Sequence, residues 1–457
     1  MSIRLGLERL SKYFINTNPN KVFPNSILPN TIHVGGTNGK GSICKLIQDI
    51  ILQDKINNKQ KLIKIGKFTS PFTVTPNDSI TINNIPIPLS QYNKALTFNY
   101  AMNTDEEKLS PFEETTIKAI KYFKNNNTDL NIMEVGCGGL QDSTNIIPFE
   151  DKILIIINKI SLDHTNLLGD TLKQIAEQKA GIINGFNNTK CQVLINNDND
   201  KEQVIDTIVA KCKDADINYK IIDTSDSKKL NNSVLSDFIE KNYKNNYQYG
   251  NIIMALNGIK HLEEIKVITP VDTKSIVKTL DNFELLGRLT KINDFPLSNK
   301  NNTLPLLIDG SHNNDALENL GKYIDYNFRN SYSDAMIFII SKTNSKNLKW
   351  SNIIRKNDIV IITEFKDIEE MKWIRSSSAD EIYQELLLEG VFMKNILIEK
   401  DINVAISIAN INKGLIFNSK KPEYNIVVVG SLYLAGKVFK IYQDKKNRLH
   451  KDYIKNV

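Results

Sequence analysis

Short apolar runs alternate with longer segments of helical period almost from one end of the chain to the other. In the first half the runs fall at 31–34, 64–69, 130–135, 153–158, 191–196 and 219–222, and helical stretches such as 42–53, 112–123 and 172–182 lie between them. That alternation predicts βα units, a mostly parallel sheet and an α/β fold. Ser110-Pro111-Phe112-Glu113 reads as a helix entry, with Ser at the cap, Pro in the first turn and Glu three residues after the cap. A second βα series begins near residue 280, with strands expected at 304–309, 336–340, 359–363, 396–399 and 426–429. The polar stretch 293–303, which contains Pro296 and lacks strong periodicity, reads as a loop. The expected domains are therefore 1–280 and 281–457. In doubly wound folds of this kind, functional loops gather at the carboxyl ends of the strands, facing a cleft.

Composition narrows the class. The 457 residues are 41% hydrophobic and 24% charged, as in ordinary globular proteins, and are enough for two or three domains. A net charge of +6 with no long Lys/Arg block gives no nucleic-acid footprint. The four cysteines form no CxxC pair, which argues against a zinc site or a disulfide framework. The N-terminus reads as an amphipathic helix, without the apolar core of a signal peptide or the acid-poor character of a transit peptide. No apolar stretch approaches the ~20 residues needed to cross a bilayer. A cytoplasmic protein that does not act at membranes is expected, with a mitochondrial pool left open, and a monomer is the expected state.

The strongest local signal is His33-Val34-Gly35-Gly36-Thr37-Asn38-Gly39-Lys40-Gly41-Ser42, directly after a strand and opening a helix. Glycines there let the backbone approach a polyanion, so that successive N–H groups and the helix N-terminus can cradle phosphate oxygens. Lys40 would reach the outer phosphates, and the Ser42 hydroxyl stands where a phosphate-loop Ser or Thr approaches magnesium. The strict GxxxxGK[ST] pattern is not met, because Val34 replaces the first Gly and Gly41 intervenes before Ser42. A glycine-rich turn without a ligand is the alternative.

Three further segments end strands or follow them closely: Lys67-Phe68-Thr69-Ser70-Pro71, Glu134 before Gly136-Cys137-Gly138-Gly139, and Ser161-Leu162-Asp163-His164-Thr165. Hard oxygen ligands plus one imidazole suit Mg²⁺ that also touches nucleotide phosphates. Taken alone, His164 reads as a hydrogen-bonded loop residue, and Glu134 equally as an acceptor for backbone amides. Their joint position at successive strand ends favours a site.

Together these segments resemble the folylpolyglutamate synthase and dihydrofolate synthase family of the Mur ligase superfamily. The matching motifs are HVGGTNGKGS (33–42), FTSP (68–71), FEETT (112–116), MEVGCGG (133–139), DSTN (142–145), LDHT (162–165), LGDTL (168–172) and KAGI (179–182). Gly287-Arg288, IDGSHN (308–313) and GSLYLAG (430–436) follow in the second half, so the series spans the chain in family order. The resemblance implies a phosphate-loop sheet domain of the Mur ligase central type, then a smaller Rossmann-like domain of the Mur ligase C-terminal type, with ATP in the interdomain cleft. It implies that Gly39, Lys40, Gly41 and Ser42 hold ATP phosphates, with Asn251, Arg288, Asp309 and His312 also at the nucleotide. Ser70, Glu134 and His164 match magnesium ligands, and K⁺ is left open as a second cation. Lys179 matches a lysine that is carbamylated in many members, although an unmodified salt-bridge partner reads equally well from sequence. Lys40, His164 and Lys179 form the implied catalytic set.

The implied reaction passes the ATP γ-phosphate to an acceptor carboxylate, after which the L-glutamate amine attacks the acyl phosphate. Phe72, Asn77-Asp78-Ser79, Leu140-Gln141, Gln178 and Tyr247 depart from the family pattern, and the first three lie where the acceptor and its glutamate tail would be held. Loss of the usual Arg-Glu-Arg at 77–79, the loop TNGKG in place of TKGKG, and a short N-terminus favour dihydropteroate as acceptor. A polyglutamate synthase or bifunctional enzyme acting on reduced folates is the runner-up. A catalytically silent folate- or ATP-binding homologue is the alternative of a different class, and the retained metal and phosphate residues argue against it.

Overall fold

In the computed structural model, which describes residues 5–18, 20, 22–94, 108–297, 303–329, 335–416 and 424–455, the apolar runs of the first half join in one sheet. Its strands are β1 (Thr31–Gly35), β2 (Ile65–Phe68), β3 (Ile80–Ile82), β4 (Ile85–Pro86), β5 (Leu130–Glu134), β6 (Lys152–Ile157), β7 (Gln192–Asn196) and β8 (Asn218–Ile222). They are ordered β4-β3-β2-β5-β1-β6-β7-β8. From β2 to β8 neighbouring strands run parallel, while β3 and β4 turn back antiparallel at one edge. Asn83 and Asn84 make that turn with φ of 50° and 65°, the left-handed pair that a tight hairpin demands.

The period-2 alternation of side chains builds two layers on this sheet. Leu154 and Ile156 of β6 face a core shared with helices Lys40–Asn57, Gln248–Glu264 and Thr273–Asp281. Ile155 and Ile157 face the opposite core, which helices Leu172–Ala180 and Asp206–Asp214 cover. Helix Lys40–Asn57 is buried almost all round, with Ile43, Leu46, Ile47, Ile50 and Ile51 inaccessible to solvent, which anchors the loop at its N-terminus. Truncating Ile47 to Ala there costs about 2–5 kcal/mol. The capping box at Ser110 forms as expected: Glu113 N donates to Ser110 Oγ and Ser110 N donates to Glu113 Oε2.

In the second half, β9 (Thr290–Pro296), β10 (Thr303–Ile308), β11 (Ile337–Ile340), β12 (Ile359–Ile362), β13 (Ile396–Ile398) and β14 (Ile426–Val429) make a sheet ordered β13-β12-β11-β14-β10-β9. All neighbours are parallel except β9, which is antiparallel to β10. The loop expected at 293–303 is corrected at both ends, since 293–296 complete β9 and Thr303 opens β10, while 298–302 lie outside the described residues. The strand escaped notice because β9 is an edge strand. Ile292 and Phe295 point inward, Lys291 and Asp294 meet solvent, and Pro296 is tolerated at the strand's end.

Two compact units result. One holds the described residues up to Phe72 and from Asn77 to Phe283; the other holds Thr73–Pro76 and those from Glu284 onward. Among the described residues no helix is long and apolar enough to cross a membrane.

Candidate functional site

The first unit gathers its polar groups at the carboxyl ends of β1, β2, β5 and β6. Gly39 caps helix Lys40–Asn57 in the left-handed conformation, φ 82°. A Cβ there would fall 2.1 Å from Asn251 Oδ1 and 2.4 Å from Asn158 Nδ2, so both the conformation and the space require glycine. Lys40 folds back over the loop, donating to Thr37 O at 3.1 Å, with its Nζ 4.0 Å from Glu134 Oε1. Glu134, at the end of β5 and only 5% exposed, also accepts from Ser70 N at 3.1 Å. An added Cβ on Gly41 would lie 3.4 Å from Glu134 Oε2, which places the glycine-rich loop and this carboxylate side by side.

Two hydroxyls at this edge, Ser42 Oγ and Ser70 Oγ, are buried without a hydrogen-bond partner among the described residues, and so is Ser161 Oγ in the loop after β6. A buried unmade hydrogen bond costs about 1–3 kcal/mol, so these hydroxyls offer hydrogen-bonding capacity to whatever occupies this edge. No cluster of three His, Cys, Asp or Glu side chains suited to a metal occurs among the described residues. What the edge offers is one carboxylate with orphan hydroxyls, a hard-oxygen set that fits Mg²⁺ sharing its shell with phosphate oxygens.

Lys179, at the end of helix Leu172–Ala180, is buried and donates to Gly36 O at 2.9 Å. Burial, with the charge of Lys40 adding to it, pushes its ammonium down to about 7. His164 caps the short helix Thr165–Leu168 with φ 51°, and its Nε2 lies 3.9 Å from Asp163 Oδ2. Asn251, in helix Gln248–Glu264, reaches the loop from the far side: its Oδ1 accepts from Asn158 Nδ2 at 2.9 Å and its Nδ2 donates to Gln248 Oε1 at 2.9 Å. Thus Gly39, Lys40, Gly41, Ser42, Ser70, Glu134 and Asn251 are joined by direct contacts with the loop or Glu134, and Lys179 joins them through Gly36. Asn158 was not among the site residues expected from sequence, although it is a polar residue ending an otherwise all-apolar strand run.

In the second unit the equivalent edge is knitted to itself. Asp309 follows β10, is 1% exposed, and accepts from Leu289 N, Ser311 N and Ser311 Oγ at 2.8, 2.9 and 2.5 Å. Arg288 Nη1 donates to Gly287 O at 2.9 Å, and His312 Nδ1 lies 2.8 Å from Gly310 O.

The Mur ligase middle domain model matches residues 34–268, and the dihydrofolate synthetase C-terminal domain model matches residues 291–441. The dihydrofolate synthetase of Saccharomyces cerevisiae is 34% identical over 458 residues, covering 97% of this chain and 99% of that protein. A dihydrofolate synthase/folylpolyglutamate synthase of Haemophilus influenzae is 28% identical over 79% of this chain and 78% of its own. Among solved structures, a Mycobacterium tuberculosis folylpolyglutamate synthase complexed with ADP and AMPPCP superposes with a TM-score of 0.75 at 20% identity, covering 96% of both chains. E. coli FolC in complex with DHPP and ADP gives 0.69 at 18% identity, covering 98% of this chain and 95% of that one. These last two are likenesses of fold. The chain belongs to the Mur ligases and, within them, to the dihydrofolate synthase and folylpolyglutamate synthase family of ATP-dependent, amide-forming ligases.

Proposed function

We propose that this ligase joins L-glutamate to dihydropteroate, giving dihydrofolate, ADP and phosphate. The observation that carries the choice of acceptor is 34% identity along the full length of the S. cerevisiae dihydrofolate synthetase. The bifunctional H. influenzae relative supports the second reading, in which the same site also extends the tail of reduced folates.

A carboxylate is a poor electrophile, so the acceptor must first be activated, and two anions must be brought together to do it. The amides of Gly39–Ser42 and the Lys40 ammonium serve that approach by holding phosphate oxygens at a helix N-terminus. Glu134, Ser42 and Ser70 would hold Mg²⁺, with His164 as the matching imidazole, and the cation supplies Lewis-acid charge to the phosphate oxygens. Asn251 supports the loop from behind Gly39. Arg288 and His312 are assigned to the nucleotide, with Asp309 setting the Arg288 turn through Leu289 N. The acyl phosphate so formed is the electrophile for the glutamate amine.

Lys179 is assigned as a carbamate. A neutral amine is the form that adds CO₂, and the burial that pushes this lysine to about 7 supplies it. The carbamate nitrogen keeps one N–H for Gly36 O. The test of the whole reading is sustained, multiple-turnover ADP release: it should require Mg²⁺, dihydropteroate and glutamate together. Sustained release that glutamate does not raise would reject ligation.

A further inference from the structure

Behind the phosphate loop runs a chain of side-chain amides that none of the steps above uses. Asn158 follows β6 and is 2% exposed. Its Nδ2 donates to Asn38 O at 2.9 Å and to Asn251 Oδ1 at 2.9 Å, while its Oδ1 accepts from Asn196 Nδ2 at 2.8 Å. Asn196 ends β7 and is 4% exposed; its Oδ1 accepts from Asp198 N at 2.8 Å and Thr224 Oγ1 at 2.8 Å.

The polarity of this chain is not free to reverse. Asp198 N–H can only donate, so it fixes the oxygen of Asn196, and the Asn196 amide nitrogen must then face Asn158. That turns the oxygen of Asn158 toward Asn196 and its nitrogen toward Asn38 O, which can only accept. Main-chain groups of fixed polarity thus anchor both ends. The peptide between Asn38 and Gly39 is planar and trans, so pinning Asn38 O on one side aims Gly39 N–H to the other. Asn158 also packs directly against Gly39, where a Cβ would lie 2.4 Å from its Nδ2.

We propose that Asn158 and Asn196 are positioning residues for the nucleotide: their relay, running from Asp198 N–H to Asn38 O, fixes the Asn38–Gly39 peptide so that Gly39 N–H is presented to phosphate. This rests on the phosphate-loop reading above. A buried polar network that serves only the fold would make the same contacts, so the test must separate the two.

Mg·ADP binding to the full chain is measured by calorimetry for wild type, Asn158→Ala, Asn196→Asp and the double variant, each with a thermal melt. Asn196→Asp keeps the acceptor for Asp198 N–H but cannot donate to Asn158, so it inverts the relay at nearly constant shape. Each single variant should weaken Mg·ADP about tenfold, the equivalent of one hydrogen bond of ~1.4 kcal/mol, with the KM for glutamate unchanged. The double variant should bind no more weakly than Asn158→Ala, because the second residue acts through the first. Asn158→Ser, which keeps one donor, should recover part of the loss and stands in if Asn196→Asp does not fold. Unchanged Mg·ADP affinity in Asn158→Ala, or additive losses in the double variant, would overturn the relay. A wild-type protein that fails to bind Mg·ADP would overturn the phosphate-loop reading itself, a result distinct from either.

Discussion

The two strand-end clusters, one in each unit, carry similar residue types but satisfy them differently. At the edge of the first sheet, the Ser42 and Ser70 hydroxyls are buried with no partner among the described residues, and burial pushes the Lys179 ammonium down to about 7. In the second unit, Asp309 is met by two main-chain N–H groups and a hydroxyl, and Arg288 turns back onto Gly287 O. One cluster leaves hydrogen-bonding capacity unused, and the other spends it on its own backbone. Substitutions in the first should therefore change chemistry at little cost in stability, whereas removing Asp309 should loosen the turn that carries Arg288.

The largest effect is expected from Lys40→Ala, which should lower kcat by about 10²–10³-fold or more, as loss of a principal charge-stabilising donor does. Its melting temperature should stay near wild type, because among the described residues the Lys40 ammonium holds only Thr37 O and a 4.0 Å approach to Glu134. Near-normal turnover would remove Lys40 from the site. Glu134→Gln should come next. Titration of activity with Mg²⁺ should show the requirement raised sharply, and an unchanged half-saturating concentration would count against Glu134 as a ligand.

Asp309→Ala and Arg288→Ala sharpen the contrast between the clusters. Asp309→Ala strands Leu289 N and Ser311 N, at a cost of about 1–3 kcal/mol that calorimetric melting should register. Arg288→Ala should leave the melt almost unchanged and raise the KM for ATP. The reverse pattern would mean that the two residues had been given each other's roles. The smallest effect concerns Lys179. Because burial lowers its ammonium to about 7, the neutral amine gains above that pH, and bicarbonate should stimulate activity more there than below it. A ¹³C carbamate resonance from ¹³CO₂ should appear in wild type and be absent in Lys179→Ala.

Much of this was legible in the sequence, for reasons visible in particular residues. Buried parallel strands such as Lys152–Ile157 announce themselves as nearly unbroken apolar runs, and the Ser110–Glu113 box states its own geometry. The strand–glycine loop–helix geometry at 35–41 was legible because glycine spacing encodes backbone conformation directly. Strands that face water were harder. The hairpin of β3 and β4 spans a few residues around an Asn-Asn turn, and β9 hides its alternation among polar side chains. The Asn158–Asn196 relay was least legible. Its meaning lies in pairings across β6 and β7, between residues 38 positions apart, and a polar residue closing an apolar run does not name its partner in an Asn-rich chain.

The most direct test of the acceptor assignment is ATP- and Mg²⁺-dependent incorporation of labelled L-glutamate, with dihydropteroate compared against tetrahydrofolate. Label should enter dihydropteroate. Incorporation on tetrahydrofolate alone, or on neither acceptor, would contradict the assignment.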